Sequence, residues 1–370
     1  PDRVVFLYRG AANDVGIAGD MIGDRREDPM SRVEGTDLFW YESALPPDAR
    51  ISYHFVRDFE ERFPDPRNPW RVPAPPSGTI GAFPAEQSAL AMPAWRAPDH
   101  LAEAPPERRG RVEEHVVEGR SRPGSRVTVR VYVPAGSDGS GEPLPLALVL
   151  DGDDAREKGL VPRTLDNVIP SRVAPVLVAF VSRPEWGEKP PPDEETEDAM
   201  ANLLAHDVLP FLEGRYRTEA RTETRALVGT GFHGWRAAYA AFRHPTVFGA
   251  LGLQSVVMLD TDQDLLERQV RTAAEVPMRL YLDWGRYDRR GTREAWDMRR
   301  ANQRFEAFLR ERGYSPAGGE VPEGAGWAGW RHRTDRVFEA LFPAPRGEAV
   351  ALDRAADRRS SAHSGVLVVP

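Results

Sequence analysis

Hydrophobic positions in the first seventy residues come in short runs broken by turn signals. Val4–Tyr8 (VVFLY), Val15–Ala18 (VGIA), Leu38–Tyr41 (LFWY) and Ile51–Val56 (ISYHFV) each read as a strand. Gly19-Asp20 stops the second, Glu34-Gly35-Thr36-Asp37 precedes the third, and Pro46-Pro47-Asp48 separates the last two. Short strands with turns between them predict a small all-β sandwich over residues 1–70. Residues 71–110 carry Pro73, Pro75, Pro76, Pro84, Pro93, Pro98, Pro105 and Pro106, which predict a Pro-rich linker wrapping the surface.

The pattern then changes. Val112–Val117 and Arg126–Val133 read as strands around the turn Pro123-Gly124. Beyond them, uninterrupted apolar runs appear at Leu144–Leu150, Val176–Val181, Ala226–Val228, Ala250–Leu253 and Met278–Leu282. Such runs fit strands covered on both faces, hence a mostly parallel sheet. Segments of helical period lie between and after them: Asp193–Arg215, Phe232–Arg243, Glu294–Arg312 and Arg331–Phe342. The expectation for residues 111–343 is an α/β domain with helices on both sheet faces. Residues 344–370 show no sustained period and read as a mobile tail.

Composition narrows the function. Lys and Arg number 49 against 57 Asp and Glu, a net of 49 − 57 = −8, which disfavours a nucleic-acid partner. There is no cysteine, so disulfides and a thiol nucleophile are excluded. No apolar run is long enough for a membrane span. No basic-then-apolar leader opens the sequence; the expected compartment is the cytoplasm, or the periplasm if a leader preceded Pro1. His115, His206 and His332 lack ligand spacing, Glu194–Glu197 reads as a helix start, and no Gly-rich nucleotide motif occurs. No cofactor or metal is therefore expected.

In open α/β sheets, ligands sit beyond the carboxyl ends of the strands. The residues there are Asp151-Gly152-Asp153, Arg183-Pro184-Glu185, Gly229-Thr230-Gly231-Phe232-His233-Gly234, Ser255 and Trp284-Gly285-Arg286-Tyr287-Asp288. The Gly229–His233 segment has the strand–turn–helix setting in which G-x-S-x-G places a nucleophilic serine. Its middle residue is Gly231, which tolerates the strained backbone but has no oxygen. His233 stands where a small residue usually lets helix and strand approach. Arg183 and Glu185 read either as an ion pair with each other or as ligand contacts. Asp288 reads as a turn residue beside Gly285.

Residues 111–343 resemble the enterochelin-esterase-like (esterase D-type) branch of the α/β hydrolases. The resemblance is carried by Leu150-Asp151-Gly152, Arg183-x-Glu185, His206-Asp207-x-Leu209-Pro210, the turn at Gly231, Arg243-His244-Pro245-x-x-Phe248-Gly249, Gln254-Ser255, Gly285-x-x-Asp288 and Glu323–Arg331 (EGAGWAGWR). Met30, Gly35-Thr36-Asp37 and Leu45–Arg50 resemble the immunoglobulin-like domain often fused in front of these esterases. The resemblance implies a carboxylic ester hydrolase with a Ser–His–acid triad. Carried over, the nucleophile falls on Gly231, the acid on Asp288 and the histidine on Ala325, counted back from Trp327 and Trp330. The oxyanion donors would be the N–H of Phe232 and the loop Asp151-Gly152-Asp153. Arg183, Glu185, His233 and Trp327 would border the pocket. The expected protein is a pseudoenzyme that binds a small ester or acyl ligand, or a protein. The alternatives are an active esterase displaced onto Thr230, His233 or Ser255, and glycan binding by the N-terminal sandwich. Oligomeric state stays open.

Overall fold

The computed structural model describes residues 3–23, 26–73, 83–137, 141–187, 190–192, 195–291 and 296–345. Its first part is all-β. Strand β1 (Arg3–Arg9) pairs antiparallel with β5 (Leu38–Ala44), and β4 (Ser31–Arg32) flanks β5. A second group centres on β6 (Arg50–Arg57), which pairs antiparallel with β2 (Val15–Gly19), β7 (Glu61–Phe63) and β9 (Glu86–Ala91). The short strands β3 (Asp28–Pro29) and β8 (Arg71–Pro73) extend it beside β2 and β9. Phe6, Tyr8, Ile17, Phe39, Ile51, Tyr53 and Phe55 share the core of this unit. The alternation in β1 is the cause on its side: Phe6 and Tyr8 point in, while Val5 and Leu7 face solvent.

The linker expectation for residues 71–110 needs correction. Glu86–Ala91 is a strand in the ladder, with Leu90 opposite Ile51, and Arg71–Pro73 pairs with it. The prolines that suggested a linker bracket this run without entering it, so every N–H within it remains free to pair. Of the same segment, residues 74–82 lie outside the described residues, as do residues 346–370 of the expected tail.

The second part holds the main sheet. Its strands are β10 (Arg111–Glu118), β11 (Arg126–Val133), β12 (Leu146–Leu150), β13 (Leu177–Val181), β14 (Arg225–Thr230), β15 (Ala250–Gln254), β16 (Arg279–Tyr287) and β17 (Ala317–Gly324). They lie in the order β10-β11-β13-β12-β14-β15-β16-β17. β11 is antiparallel to both of its neighbours, and every other pairing along this sheet is parallel. A single bridge, Glu323 to Arg50, joins β17 to β6, so the N-terminal strands continue the sheet.

Side-chain parity splits the interior into two layers. Leu146, Leu148 and Leu150 face helices α3 (Thr196–Asn202), α4 (Leu209–Arg215), α5 (Gly231–Arg243), α6 (Asp260–Thr272) and α7 (Met298–Glu311). Ala147 and Val149 face α1 (Gly152–Glu157), α2 (Val161–Val168), α8 (Trp327–Trp330) and α9 (Thr334–Leu341). Both faces of each inner strand are thus covered, which is why those strands read as unbroken apolar runs.

Several boundaries moved for identifiable reasons. The long helix expected over 193–215 is α3 and α4 joined by a π-turn at Leu203–Val208. Pro210 has no N–H to give to the preceding turn, and the wider turn sits just before it. The wide turn also presents Asp207, whose carboxylate accepts from the N–H of Arg120 (3.0 Å) and Ser121 (3.1 Å), fastening the β10–β11 turn. β17 (AGGEVPEG) escaped the sequence reading because it has no apolar run. Gly318 there sits at φ +107°, and a Cβ would lie 2.3 Å from the carbonyl oxygen of Leu282.

One glycine sets how closely α5 approaches the sheet. A Cβ on Gly229 would lie 2.3 Å from the backbone oxygen of His233. Replacing Gly229 by Ala is therefore expected to destabilise the fold by at least about 2 kcal/mol, measured as a lower midpoint in urea with an unchanged slope.

Candidate active site

The strand–turn–helix unit lies where the sequence places it. β14 ends at Thr230, and Gly231, at φ +55°, turns the chain into α5. A Cβ at Gly231 would stand 3.0 Å from Cη2 of Trp330 and 3.9 Å from Cγ2 of Val257. The tip of the Trp330 indole therefore sits directly over the bend. Trp330 is buried, and its Nε1–H has no partner among the described residues. His233 does not hold the close-packing position expected for it. Gly229 and Gly234 line the strand–helix crossing, since a Cβ on either would meet backbone of the other segment. The His233 ring instead turns toward Asp151, with Nε2 3.8 Å from Oδ1.

Asp288, the residue expected as the acid, is enclosed. Sheet register sets Tyr287 opposite Gly324, so Asp288 and Ala325 follow at the ends of adjacent strands. Asp288 is 3% exposed. Ser255 Oγ donates to Asp288 Oδ1 at 3.0 Å, while Oδ2 is buried without a partner among the described residues. Ser255, itself at φ +47°, accepts from Nη2 of Arg333 at 3.0 Å. Arg333 Nε donates to Asp283 Oδ1 at 2.9 Å, and its Nη1 lies 3.5 Å from Glu323 Oε2. Asp283 also accepts from Tyr281 Oη (2.9 Å) and Gln254 Nε2 (3.3 Å). Burial pushes the Asp288 carboxyl up to about 7, against the nearby charge of Arg333 and the bonds from the backbone and Ser255. An acid that in a working triad would receive an imidazole N–H here receives a serine hydroxyl.

The loop after β12 forms the opposite wall. Asp151 is left-handed at φ +59°, and Gly152 opens α1. A Cβ on Gly152 would lie 2.4 Å from the backbone of Phe180, so glycine lets α1 rest on β13. Asp151 Oδ2 accepts from Trp327 Nε1 at 3.3 Å. Burial raises the Asp151 carboxyl to about 6, and burial with the charge of Arg236 lowers His233 to about 4. At neutral pH the pair is a carboxylate beside an uncharged imidazole. Such a wall opposes an oxyanion more than it stabilises one.

The remaining predicted residues divide. Trp327 is buried and packs edge-on against Trp330, with ring centroids 5.5 Å apart. Phe232 is 41% exposed, stacks on Trp235 at 6.0 Å, and has the Arg236 guanidinium 4.7 Å from its ring centre. Asp153 is tied to Arg130. Arg183 and Glu185 do not pair with each other, because Glu185 is taken by Arg126 across an isolated bridge, with Nε to Oε2 at 2.8 Å. Arg183 is exposed and makes no ion pair among the described residues. Ala325 is half-buried and borders a cleft between the two parts of the chain. Asp20, Ser52 and Gln87 line it from the N-terminal side; Lys158, Trp327 and Arg331 face them.

The buried pair Arg333–Asp283 was not read from the sequence. A signal existed: Asp283 interrupts an otherwise apolar strand (Leu282-Asp283-Trp284), and a charge inside a doubly covered strand requires a partner. Among the described residues, no group of His, Asp and Glu side chains is placed to hold a metal ion, and no helix is long and apolar enough to cross a membrane.

Sheet order, the glycine bend after β14 and the acid after β16 define an α/β hydrolase of the esterase kind. The chain belongs to the putative esterase family, whose profile matches residues 121–340. The profile of the enterochelin esterase N-terminal domain matches residues 3–123. No curated protein matches the sequence. Among solved structures, the ferric enterobactin esterase of Salmonella typhimurium is similar at 18% identity and a TM-score of 0.68, over 92% of this chain and 93% of that one. The enterobactin esterase of Shigella flexneri, crystallised in the presence of enterobactin, gives 18% identity, a TM-score of 0.68 and 92% coverage of both chains. A feruloyl esterase module from Clostridium thermocellum gives 14% identity and a TM-score of 0.50, over 67% of this chain and 93% of that one. At these identities the likeness is one of fold.

The raised Asp288 carboxyl has a thermodynamic signature. Its folded value, about 7, lies above that of an unfolded aspartate, so the native state holds the proton more tightly. This contribution to stability is complete below pH ~4 and is lost as pH rises to about 7. An Asp288→Asn variant cannot lose it. Relative to the parent, the variant is expected to gain stability progressively from pH 4 to 8, by up to a few kcal/mol at about 1.4 kcal/mol per unit. Denaturant titrations across that range read the slope; a gap that does not change with pH excludes the effect.

Proposed function

We propose that this chain is an esterase-fold protein that has left serine-ester chemistry behind and works by binding a small ligand. The observation that carries the reading is the bend after β14, where Gly231 at φ +55° presents hydrogen beneath the tip of Trp330. A nucleophile there needs an oxygen and a neighbouring imidazole, and the positions aligned with them are Gly231 and Ala325. Losing either partner of such a unit removes nearly all of its rate advantage, and losing both removes little more.

The displaced-nucleophile reading finds little support. Ser255 is 2% exposed, with its hydroxyl donated to Asp288 and accepting from Arg333. Thr230 is 4% exposed, and its hydroxyl faces no base among the described residues. His233 lies beside Asp151, but its low proton affinity makes it a weak base at neutral pH. The cleft beside Ala325, walled by Trp327, suits an acyl or aryl ligand. The likeness to enterobactin esterases supports an ester or acid of that general class as the ligand. The N-terminal strands, read as an immunoglobulin-like sandwich, supply the other side of the cleft.

Turnover of aryl esters by the purified chain is expected to match that of an unrelated protein at equal concentration. Turnover that disappears in Ser255→Ala, Thr230→Ala or His233→Ala sinks the reading. The double variant Gly231→Ser/Ala325→His is expected to hydrolyse aryl esters above the parent. Gly231→Ser alone is expected to cost about 1–3 kcal/mol of stability, from the left-handed backbone and the displaced indole.

A further inference from the structure

Arg331 is a guanidinium without a counter-ion. It directly follows α8 and lines the cleft beside Ala325. Among the described residues its side chain makes no ion pair and no hydrogen bond, and its Nε is buried and unpartnered. Only its backbone oxygen is engaged, by His100 Nε2 at 2.8 Å. Burial lowers its proton affinity with no carboxylate opposing the effect.

A second guanidinium stands near it. Arg50 on β6 is 7% exposed and likewise makes no side-chain hydrogen bond or ion pair among the described residues. It lies over the Trp95 ring, 5.9 Å from its centre. Burial lowers its proton affinity; the charge of Glu323 opposes that shift, Arg331 adds to it, and Asp20 opposes it. The nearest acids are already engaged. Glu323 receives Trp95 Nε1 (3.0 Å), His332 Nδ1 (3.3 Å) and Arg333. Asp20 receives the N–H of Ser52 at 2.6 Å. Lys158, on the same cleft, is paired with Asp154 at 2.7 Å.

Buried charges in proteins are paired, because desolvating an isolated ion costs several kcal/mol. Of the two guanidiniums, Arg331 lines the cleft, with Arg50 behind it, so the cleft meets a guanidinium that no acid pairs among the described residues. Space exists for an anion: the side chain at 325 is a single methyl, and nothing lies within 4 Å of where a Cβ on Gly326 would be. The terminal nitrogens of a guanidinium offer two parallel N–H donors, which match the two oxygens of a carboxylate.

We propose that this cleft binds a small organic carboxylate, held by the terminal fork of Arg331 with Arg50 behind it, and the body of the acid against Trp327. The inference rests on the reading of the chain as a binder. A carboxylic acid is what ester cleavage leaves, so a pocket that retains the acid needs no nucleophile.

Benzoate, its uncharged isostere benzamide, and inorganic phosphate serve as probes against the full chain, by calorimetry and thermal unfolding. Benzoate is expected to bind saturably and to raise the unfolding temperature, with benzamide at least tenfold weaker. Arg331→Gln is expected to weaken benzoate at least tenfold, and in anion-free buffer to unfold no lower than the parent. Arg331→Lys, which keeps the charge but loses the fork, is expected to fall between. Equal binding of benzamide and benzoate overturns the proposal, as does benzoate affinity unchanged in Arg331→Gln, or no saturable binding of either anion. Phosphate bound more tightly than benzoate overturns the carboxylate assignment. A Gln variant that loses the fold overturns it too, since the guanidinium would then be held by the protein itself. Ester turnover by the parent chain would remove the underlying reading without affecting these binding isotherms.

Discussion

A guanidinium taken wholly out of water must be met by acceptors on every side, and Arg333 is such a group. Asp283 from the middle of β16, Ser255 just after β15 and Glu323 near the end of β17 surround it. Breaking one partner of such a pair leaves an uncompensated buried charge, so the arrangement holds as a unit. It fixes three neighbouring strands against the residues that enter α9. It also decides what becomes of Asp288, because Ser255 bridges Arg333 to that acid. The acid is thereby bound into the interior and not presented to a pocket.

The bend at Gly231 is the complementary half. A left-handed turn between strand and helix persists because glycine adopts it without strain, and the crossing behind it is kept tight by Gly229 and Gly234. On the proposed reading the bend is a nucleophile elbow without its nucleophile, and Trp330 fills the space above it. On the facing wall, Asp151 places a carboxylate where an esterase would gather positive potential. Gly231, Ala325 and the carboxylate of Asp151 all support the proposed reading. The guanidinium of Arg331 lies elsewhere, on the cleft beside the methyl group of Ala325.

What the sequence could reveal followed from periodicity and from turn chemistry. The inner strands were legible because both faces are covered, and the elbow because a glycine-rich turn links an apolar run to an amphipathic helix. β17 was not legible, since glycine and glutamate stand where apolar residues usually mark a strand; it is held by its parallel ladder to β16. β9 was hidden by the prolines on either side of it. Partner choice among charges was not legible either. Arg183 and Glu185 sit two residues apart, yet Glu185 bonds to Arg126, a partner set by strand pairing and not by sequence distance. His233 was misplaced for the same kind of reason: which residue of a tight crossing faces inward depends on the exact phase of the helix.

The most direct test is the intact mass of the protein after prolonged exposure to an excess of a fluorophosphonate, with a serine esterase treated alongside. The mass is expected to stay unmodified while the control is fully labelled. A stoichiometric adduct on any serine or threonine, above all Ser255 or Thr230, would contradict the absence of an activated nucleophile.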